Sequence, residues 1–168
     1  GHDVKDVVED GSADVVEEPI DSLGRQLAQT LADRLGLVVD GGVDTLLGLA
    51  VRQIVSPGTK VVTSLGAYPT FNYHVAGFGG RLVTVPYQND REDPEALLDA
   101  VKRESAAIVY LSNPDNPMGT WRDAETITAF AAALPENCLF VLDEAYGEMA
   151  PKTPLPPADA VLDRPNIV

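Results

Sequence analysis

The feature that most restricts the fold of this chain is a regular alternation between short apolar runs and longer segments with helical periodicity. The short runs are rich in Val, Ile and Leu, and the segments between them are long enough for a helix to cross from one strand to the next. This rhythm is typical of a parallel sheet with crossover helices. The predicted strands span residues 60–64, 81–85, 107–111, 139–143 and 166–168.

Helices are predicted between these strands and ahead of the first one. Residues 22–35 carry leucine at every fourth position, as on one face of an amphipathic helix, and Gly36 follows as a stop. Asp93 and Asp123 stand where each caps or opens a later helix. We therefore expect an α/β fold, a three-layer, parallel-rich sheet flanked by helices. The predicted helices span residues 22–35, 43–55, 70–77, 94–103 and 123–134.

Length and composition indicate one globular domain, preceded by an acidic, valine-rich stretch, residues 1–19, to which we assign no function. With 12 basic against 26 acidic residues, the formal charge of −14 disfavours nucleic acid and anionic membranes as partners. No apolar run approaches the ~18 residues of a membrane span, and the acidic start lacks the features of a signal peptide. The single cysteine, Cys138, lies in an apolar run, as expected of a small buried residue in a cytoplasmic protein.

The carboxyl ends of the strands are where a ligand would bind in such a sheet. After strand 107–111, residues 112–119 (SNPDNPMG) contain two prolines that fix the backbone and a glycine that closes a turn. One interpretation is a rigid loop without a further role. The other is functional, because a rigid loop at a buried strand end would hold the Asn116 amide above the sheet, where it could donate to an oxyanion on a bound ring.

A second strand end carries acids followed by an aromatic hydroxyl. Strand 139–143 ends at Asp143, and Tyr146 follows three residues later. Asp143 could simply cap the next helix. Alternatively, its carboxylate could keep a pyridine nitrogen protonated, so that the ring draws electrons from a bond broken at the alpha carbon of an amino acid. Tyr146 could then hydrogen-bond the phenolic oxygen of the same ring.

These two segments resemble a known family. Residues 113–119, NPDNPMG, resemble the NPxNPTG signature, and residues 143–146 the DEAY signature, of fold type I, class I/II aminotransferases that use pyridoxal 5'-phosphate, particularly the histidinol-phosphate aminotransferase-like branch. Met118 replaces the usual threonine. The resemblance implies that residues 20–168 are an incomplete large domain of a homodimeric transaminase, in which Asn116, Asp143 and Tyr146 bind the cofactor.

The resemblance extends to two further cofactor contacts. Phe71, in the segment GAYPTFNY, occupies the position where the family places an aromatic ring flat on the cofactor. The alternative is that Phe71 is an ordinary core aromatic. Gly42, Val43 and Asp44 open a helix where the family binds the cofactor phosphate with backbone N–H groups, since a helix N-terminus favours an anion. Without the other motifs, this Gly-Gly segment would indicate only a turn.

The lysine that binds the cofactor covalently in this family has no counterpart in the sequence. The family places it after the strand that would begin near residue 166. The lysines present are Lys5, Lys60, Lys102 and Lys152, and none lies in a matching motif. We therefore assign no catalytic residue and no metal ligand, and we interpret Glu144 and Glu148 as acids of a helix surface or of the site's surroundings.

The resemblance implies that a longer enzyme containing this chain transfers an amino group between an amino acid, or an amino-alcohol phosphate, and a keto acid. The same residues would serve a decarboxylase or lyase that uses pyridoxal phosphate. A truncated domain that binds the cofactor without catalysis is another hypothesis. A nucleotide-binding domain is disfavoured, because no glycine-rich phosphate motif of the GxGxxG or GxxxxGK[ST] type follows a strand.

Overall fold

The computed structural model describes residues 42–149 and 166–167. Four strands form one sheet in the order β2-β1-β3-β4, and all neighbouring strands are parallel. The strands are β1 (Lys60–Ser64), β2 (Arg81–Val85), β3 (Ile108–Ser112) and β4 (Leu139–Asp143). The helices are α1 (Val43–Ile54), α2 (Pro69–Gly77), α3 (Pro94–Glu104) and α4 (Ala124–Ala133), and a short 3-10 helix spans Gly147–Met149.

The predicted α/β fold is confirmed, and three of the strands have the predicted bounds. The third strand lies one residue further along, because Ser112 is buried and pairs with Asp143 in the parallel register. The last predicted strand is represented by a single parallel bridge between Ile167 and Phe140. The predicted helix 22–35 and the stretch 1–19 lie outside the described residues.

Local signals explain where the helices start. The Asp93 side chain accepts a hydrogen bond from the Ala96 N–H at 3.2 Å, and the Asp123 side chain accepts one from the Thr126 N–H at 2.8 Å. Each bond satisfies an N–H that has no partner within the first turn of its helix. Both predicted caps are therefore confirmed. Pro69 begins α2 one residue earlier than predicted, at the helix position where a missing N–H is tolerated.

The side chains of the strands alternate between two apolar layers. One layer packs against α1 and α2, and the other packs against α3 and α4. Cys138 belongs to the second layer, where burial raises the pKa of its thiol to about 12, as expected of an unreactive core residue. The strand residues of the first layer are Val61, Ile108, Tyr110 and Val141, and those of the second are Val62, Val85, Val109, Leu111, Phe140 and Leu142.

The topology places the candidate site at one edge of the sheet. The chain moves from β1 outward to β2 and then returns to β3 on the other side of β1, so that the strand order reverses between β1 and β3. Ligands of open parallel sheets bind beyond the carboxyl ends of the strands at such a point. Helix α1 ends only a short loop before β1, and its first turn therefore lies toward the same edge.

Candidate functional site

The carboxylate of Asp143 lies at the carboxyl end of β4 and is 6% exposed. Its Oδ2 accepts a hydrogen bond of 2.7 Å from the Tyr110 hydroxyl, and its Oδ1 accepts one of 3.0 Å from the Ala145 N–H. Asp143 lies on the same face of the sheet as Val141, and Tyr110 lies on that face of β3. A carboxylate held by two donors at a strand end can present its remaining lone pairs to a ligand.

The loop that follows β3 is held by hydrogen bonds in addition to its prolines. The Asn113 N–H donates to the Asp143 carbonyl at 2.8 Å, which joins the ends of β3 and β4. The Asn113 side chain binds both backbone groups of Arg122, accepting from its N–H at 2.7 Å and donating to its carbonyl at 3.0 Å. Gly119, with a φ of 67°, closes the loop by donating to the Asp115 carbonyl.

The structure brings Asn116 and Tyr146 together. The Asn116 Nδ2 donates to the Tyr146 hydroxyl oxygen at 3.4 Å, and its backbone N–H donates to the Ser112 hydroxyl, also at 3.4 Å. Tyr146 is 41% exposed and Asn116 is partly exposed. These two polar side chains therefore form an accessible pair beside the end of β4, where a ligand oxygen could receive hydrogen bonds from both.

Gly42, Val43 and Asp44 form the start of α1. Gly42 is the N-cap in extended conformation, and its carbonyl accepts from the Thr45 and Leu46 N–H groups. Among the described residues, none has a heavy atom within 4 Å of the position that a Cβ on Gly42 would occupy. Gly42 and Asp44 are exposed, so this helix start is accessible to an anion.

Phe71 lies in the apolar core between the sheet and α2. Its exposed fraction is zero, and its ring stacks on Tyr110 with centroids 4.4 Å apart and planes 14° apart. Tyr110 thus contacts both Phe71 and Asp143, two residues that sequence reasoning had assigned to a cofactor separately. The stacking of Phe71 on a cofactor stays a prediction.

A group of buried acids near the loop was not predicted. Glu92 is 3% exposed, and among the described residues neither of its carboxylate oxygens has a hydrogen-bond partner. Burial, with the nearby charge of Asp115, raises the pKa of Glu92 to about 9. Asp115 accepts hydrogen bonds from the Tyr87 hydroxyl at 3.1 Å and the Ser112 hydroxyl at 3.2 Å. Burial raises the pKa of Asp115 as well.

The lysines and glutamates that were not assigned to the candidate site differ in position. Lys60 forms an ion pair of 3.1 Å with Glu104, in which both side chains are partly exposed, and Lys102 is exposed. Glu144 is partly buried beside Asp143. The side chain of Glu148, together with Lys5 and Lys152, is outside the described residues.

In the part of the chain that the structure describes, no group of three or more His, Cys, Asp or Glu side chains is arranged to hold a metal ion. Among the helices within residues 42–149, none has the length and apolar character needed to cross a membrane.

Comparison with known proteins gives a consistent match. Residues 10–168 match the family described as aminotransferase class I and II. The chain is 32% identical to a histidinol-phosphate aminotransferase of Pseudomonas fluorescens over 167 residues, which are 96% of this chain and 45% of that protein. It is 34% identical to one from Nitrosococcus oceani over 154 residues, which are 88% of this chain and 41% of that protein.

A solved structure shares the fold and much of the sequence. The histidinol-phosphate aminotransferase from Sinorhizobium meliloti, crystallised in complex with pyridoxal-5'-phosphate, is 59% identical with a TM-score of 0.75. That match covers 85% of this chain and 40% of the other. The chain therefore spans less than half the length of these relatives.

Proposed function

Because this chain belongs to the aminotransferase class I and II family, we propose that it is the part of a longer enzyme that binds pyridoxal 5'-phosphate. The complete enzyme would transfer an amino group between an amino acid, or an amino-alcohol phosphate, and a keto acid. The observation that carries the proposal is the position of Asp143, a buried carboxylate at a strand end beside the accessible pair Asn116 and Tyr146.

The residues present fit the chemical groups of this cofactor. Asp143 can accept a hydrogen bond from the ring nitrogen, and Asn116 with Tyr146 can donate to the phenolic oxygen. The start of α1 offers backbone N–H groups, and the open space at Gly42 lets a phosphate approach them closely. The acceptor, the donors and the anion site therefore match the ring nitrogen, the phenolic oxygen and the phosphate of one molecule.

The bound cofactor supplies an electron-withdrawing ring that stabilises negative charge at the alpha carbon of a substrate. Asp143 contributes by holding the proton on the ring nitrogen, because a negative carboxylate stabilises a neighbouring positive charge. Asn116 and Tyr146 fix the rotation of the ring within its plane. The rigid loop 113–119 keeps Asn116 in place, since positioned donors act without reorganisation.

The printed names of the relatives support the finer parts of the proposal. Several are histidinol-phosphate aminotransferases, which supports an amino-alcohol phosphate as one substrate class. Lys60 lies in a surface ion pair with Glu104, and this supports the proposal that the lysine of the site belongs to another part of the enzyme. We further propose, from the family resemblance, that residues 20–168 belong to the large domain of a cytoplasmic homodimer.

The test uses the full-length protein that contains this chain. Pyridoxal phosphate is added while absorbance is followed, borohydride is then added, and the mass is measured to detect covalently fixed cofactor. Nitrogen transfer from histidinol phosphate to 2-oxoglutarate is assayed in parallel. The variant is Asp143→Asn, and the matched control is Asp99→Asn, which makes the same change at an exposed position of α3.

The wild type and the control should bind the cofactor and transfer nitrogen, whereas Asp143→Asn should lose activity by about 100-fold or more, as when other positioned electrostatic groups are removed. A wild type that binds no cofactor would show the proposal to be wrong. If the wild type binds the cofactor and borohydride attaches it covalently, but no nitrogen is transferred, the protein would instead be a decarboxylase, a lyase or an inactive domain.

A further inference from the structure

Tyr110 makes two contacts that no sequence motif indicates. Its hydroxyl donates to Asp143 Oδ2 at 2.7 Å, and its ring stacks on Phe71 with a centroid distance of 4.4 Å. The exposed fraction of Tyr110 is zero, so both contacts are formed away from water. One side chain thus connects the carboxylate and the aromatic ring on which the proposed cofactor site depends.

The hydrogen bond has a fixed direction. Burial and the nearby charge of Asp143 raise the pKa of the Tyr110 hydroxyl well above its ordinary value, and the charge of Glu92 acts in the same sense. The hydroxyl therefore keeps its proton and acts as the donor, while the carboxylate accepts. A donated bond of 2.7 Å to a charged acceptor is among the stronger hydrogen bonds in proteins.

The two donors of Asp143 approach different oxygens. Tyr110 binds Oδ2 and the Ala145 N–H binds Oδ1, so the carboxylate cannot rotate about its Cβ–Cγ bond without breaking one of them. The Ala145 bond is local and spans two residues, whereas the Tyr110 bond crosses from β3 to β4. Of these two bonds, the Tyr110 bond is therefore the one that holds the carboxylate to the neighbouring strand.

We infer that Tyr110 is a positioning residue, which orients the Asp143 carboxylate through its hydroxyl and supports the Phe71 ring through its face. This inference rests on the proposed function, because it concerns the residues assigned to the cofactor. Tyr110 itself need not touch the cofactor. Its hydroxyl determines the direction in which Asp143 presents its free lone pairs, and its ring supports Phe71 through the stacked contact.

The experiment compares three forms of the full-length protein. Tyr110→Phe removes the hydroxyl and keeps the ring that stacks on Phe71. Tyr73→Phe is the control, since it makes the same chemical change at a side chain that is 72% exposed. Each form is titrated with pyridoxal phosphate labelled with ¹⁵N in the ring, and the ¹⁵N chemical shift of the bound cofactor is recorded against pH. Thermal unfolding without cofactor reports stability separately.

In Tyr110→Phe the carboxylate can turn away from the ring nitrogen. We therefore expect the pH at which the bound nitrogen loses its proton to fall by about one unit, and the cofactor to bind about 10-fold more weakly, as for loss of a hydrogen bond to a charged group. Tyr73→Phe should match the wild type. A Tyr110→Phe variant with a lower melting temperature but an unchanged pH midpoint of the ¹⁵N titration would show that Tyr110 is only a core residue. That result would overturn the inference and leave the proposed function in place.

A measurement on the wild type keeps the inference testable should Tyr110→Phe fail to fold. A hydroxyl proton donated to a buried carboxylate exchanges slowly with water and gives its own proton resonance. Addition of pyridoxal phosphate should shift the Tyr110 resonance, because the Asp143 carboxylate then gains a positively charged partner in addition to its two neutral donors. Cofactor binding that leaves this resonance in place would overturn the inference, whereas absence of any cofactor binding would overturn the proposed function.

Discussion

At the scale of single residues, the candidate site consists of the Asp143 carboxylate, which accepts a hydrogen bond from Tyr110, and the Asn116 amide, which donates to Tyr146. Asp143 and Asn116 were predictable, because each follows an apolar run in a segment of distinctive composition. Tyr110 was not, since within β3 it looks like any buried strand aromatic. Its bond to Asp143 joins residues 33 positions apart and depends on the pairing of two strands.

Glu92 was unpredictable for a related reason. It stands in the polar segment QNDREDP, which has the composition of a surface turn. Its burial follows from long-range packing beside Asp115 and from the Arg122 side chain, which donates to the Glu92 carbonyl at 2.9 Å. A pattern along the chain carries no information on such contacts.

The burial of Glu92 makes stability depend on pH in a defined direction. Its pKa is about 9 in the folded protein and near the ordinary 4.5 in the unfolded chain, so the folded state binds the extra proton between these values. The stability it contributes is complete below pH 4.5 and is lost as pH rises toward 9. The side chain of Glu92→Gln cannot ionise. Between pH 5.5 and 7.5, the free energy of unfolding of this variant should therefore rise relative to that of the wild type by roughly 1 kcal/mol per pH unit.

Urea unfolding of both proteins at several pH values in this range measures the effect. The control is Glu95→Gln, which removes a carboxylate at an exposed position three residues further along the chain, in the first turn of α3. A plot of its free energy of unfolding against pH should stay parallel to that of the wild type. A Glu92→Gln curve that is also parallel would mean that Glu92 is ionised in the folded protein.

At the scale of elements, the sequence predicted the sheet and its helices closely, because their signals are local. Apolar runs of strand length, the capping residues Asp93 and Asp123 and the proline at the start of α2 all act within a few residues. The one-residue shift of β3, which ends at Ser112, depends on pairing with another strand. The strand order likewise could not be read from the sequence, since it is decided by which strands pair.

The loop after β3 provides a prediction at this scale. Asn113 is 1% exposed and forms both of its side-chain hydrogen bonds with the backbone of Arg122. Asn113→Ala would remove the partners of the Arg122 N–H and carbonyl, both of which form partly buried hydrogen bonds. We expect the free energy of unfolding to fall by about 2–3 kcal/mol and cofactor binding to weaken, because Asn116 loses its rigid support.

Chemical unfolding and a cofactor titration measure these two effects. Asn137→Ala, at an exposed asparagine between α4 and β4, is the matched control and should change neither quantity appreciably. A stable Asn113→Ala protein with unaltered cofactor affinity would show that the prolines alone hold the loop.

At the scale of the whole molecule, ligand binding and folding are linked. A ligand that binds only the folded state stabilises it by about 2.7 kcal/mol at a concentration 100 times its dissociation constant. Pyridoxal phosphate should therefore raise the melting temperature of the full-length protein. Pyridoxal, which lacks the phosphate, should raise it less at equal concentration, because the start of α1 then has no anion to bind.

Differential scanning fluorimetry with both compounds checks this expectation, and inorganic phosphate alone serves as the control for a general anion effect. Equal shifts from pyridoxal and pyridoxal phosphate would contradict the assignment of Gly42, Val43 and Asp44 to the phosphate. Such a result would leave the roles of Asp143 and Asn116 untouched.

The pairing of the strands also has a consequence for biosynthesis. β2 and β3 both pair with β1, β4 pairs with β3, and Ile167 pairs with β4, so every strand adds to one made before it. A sheet of this kind can assemble in the order in which the ribosome releases it. The last of the four strands to emerge carries Asp143, and its docking closes the bond to a Tyr110 already in place. The Asp143 carboxylate therefore gains its cross-strand hydrogen bond only when β4 pairs with β3.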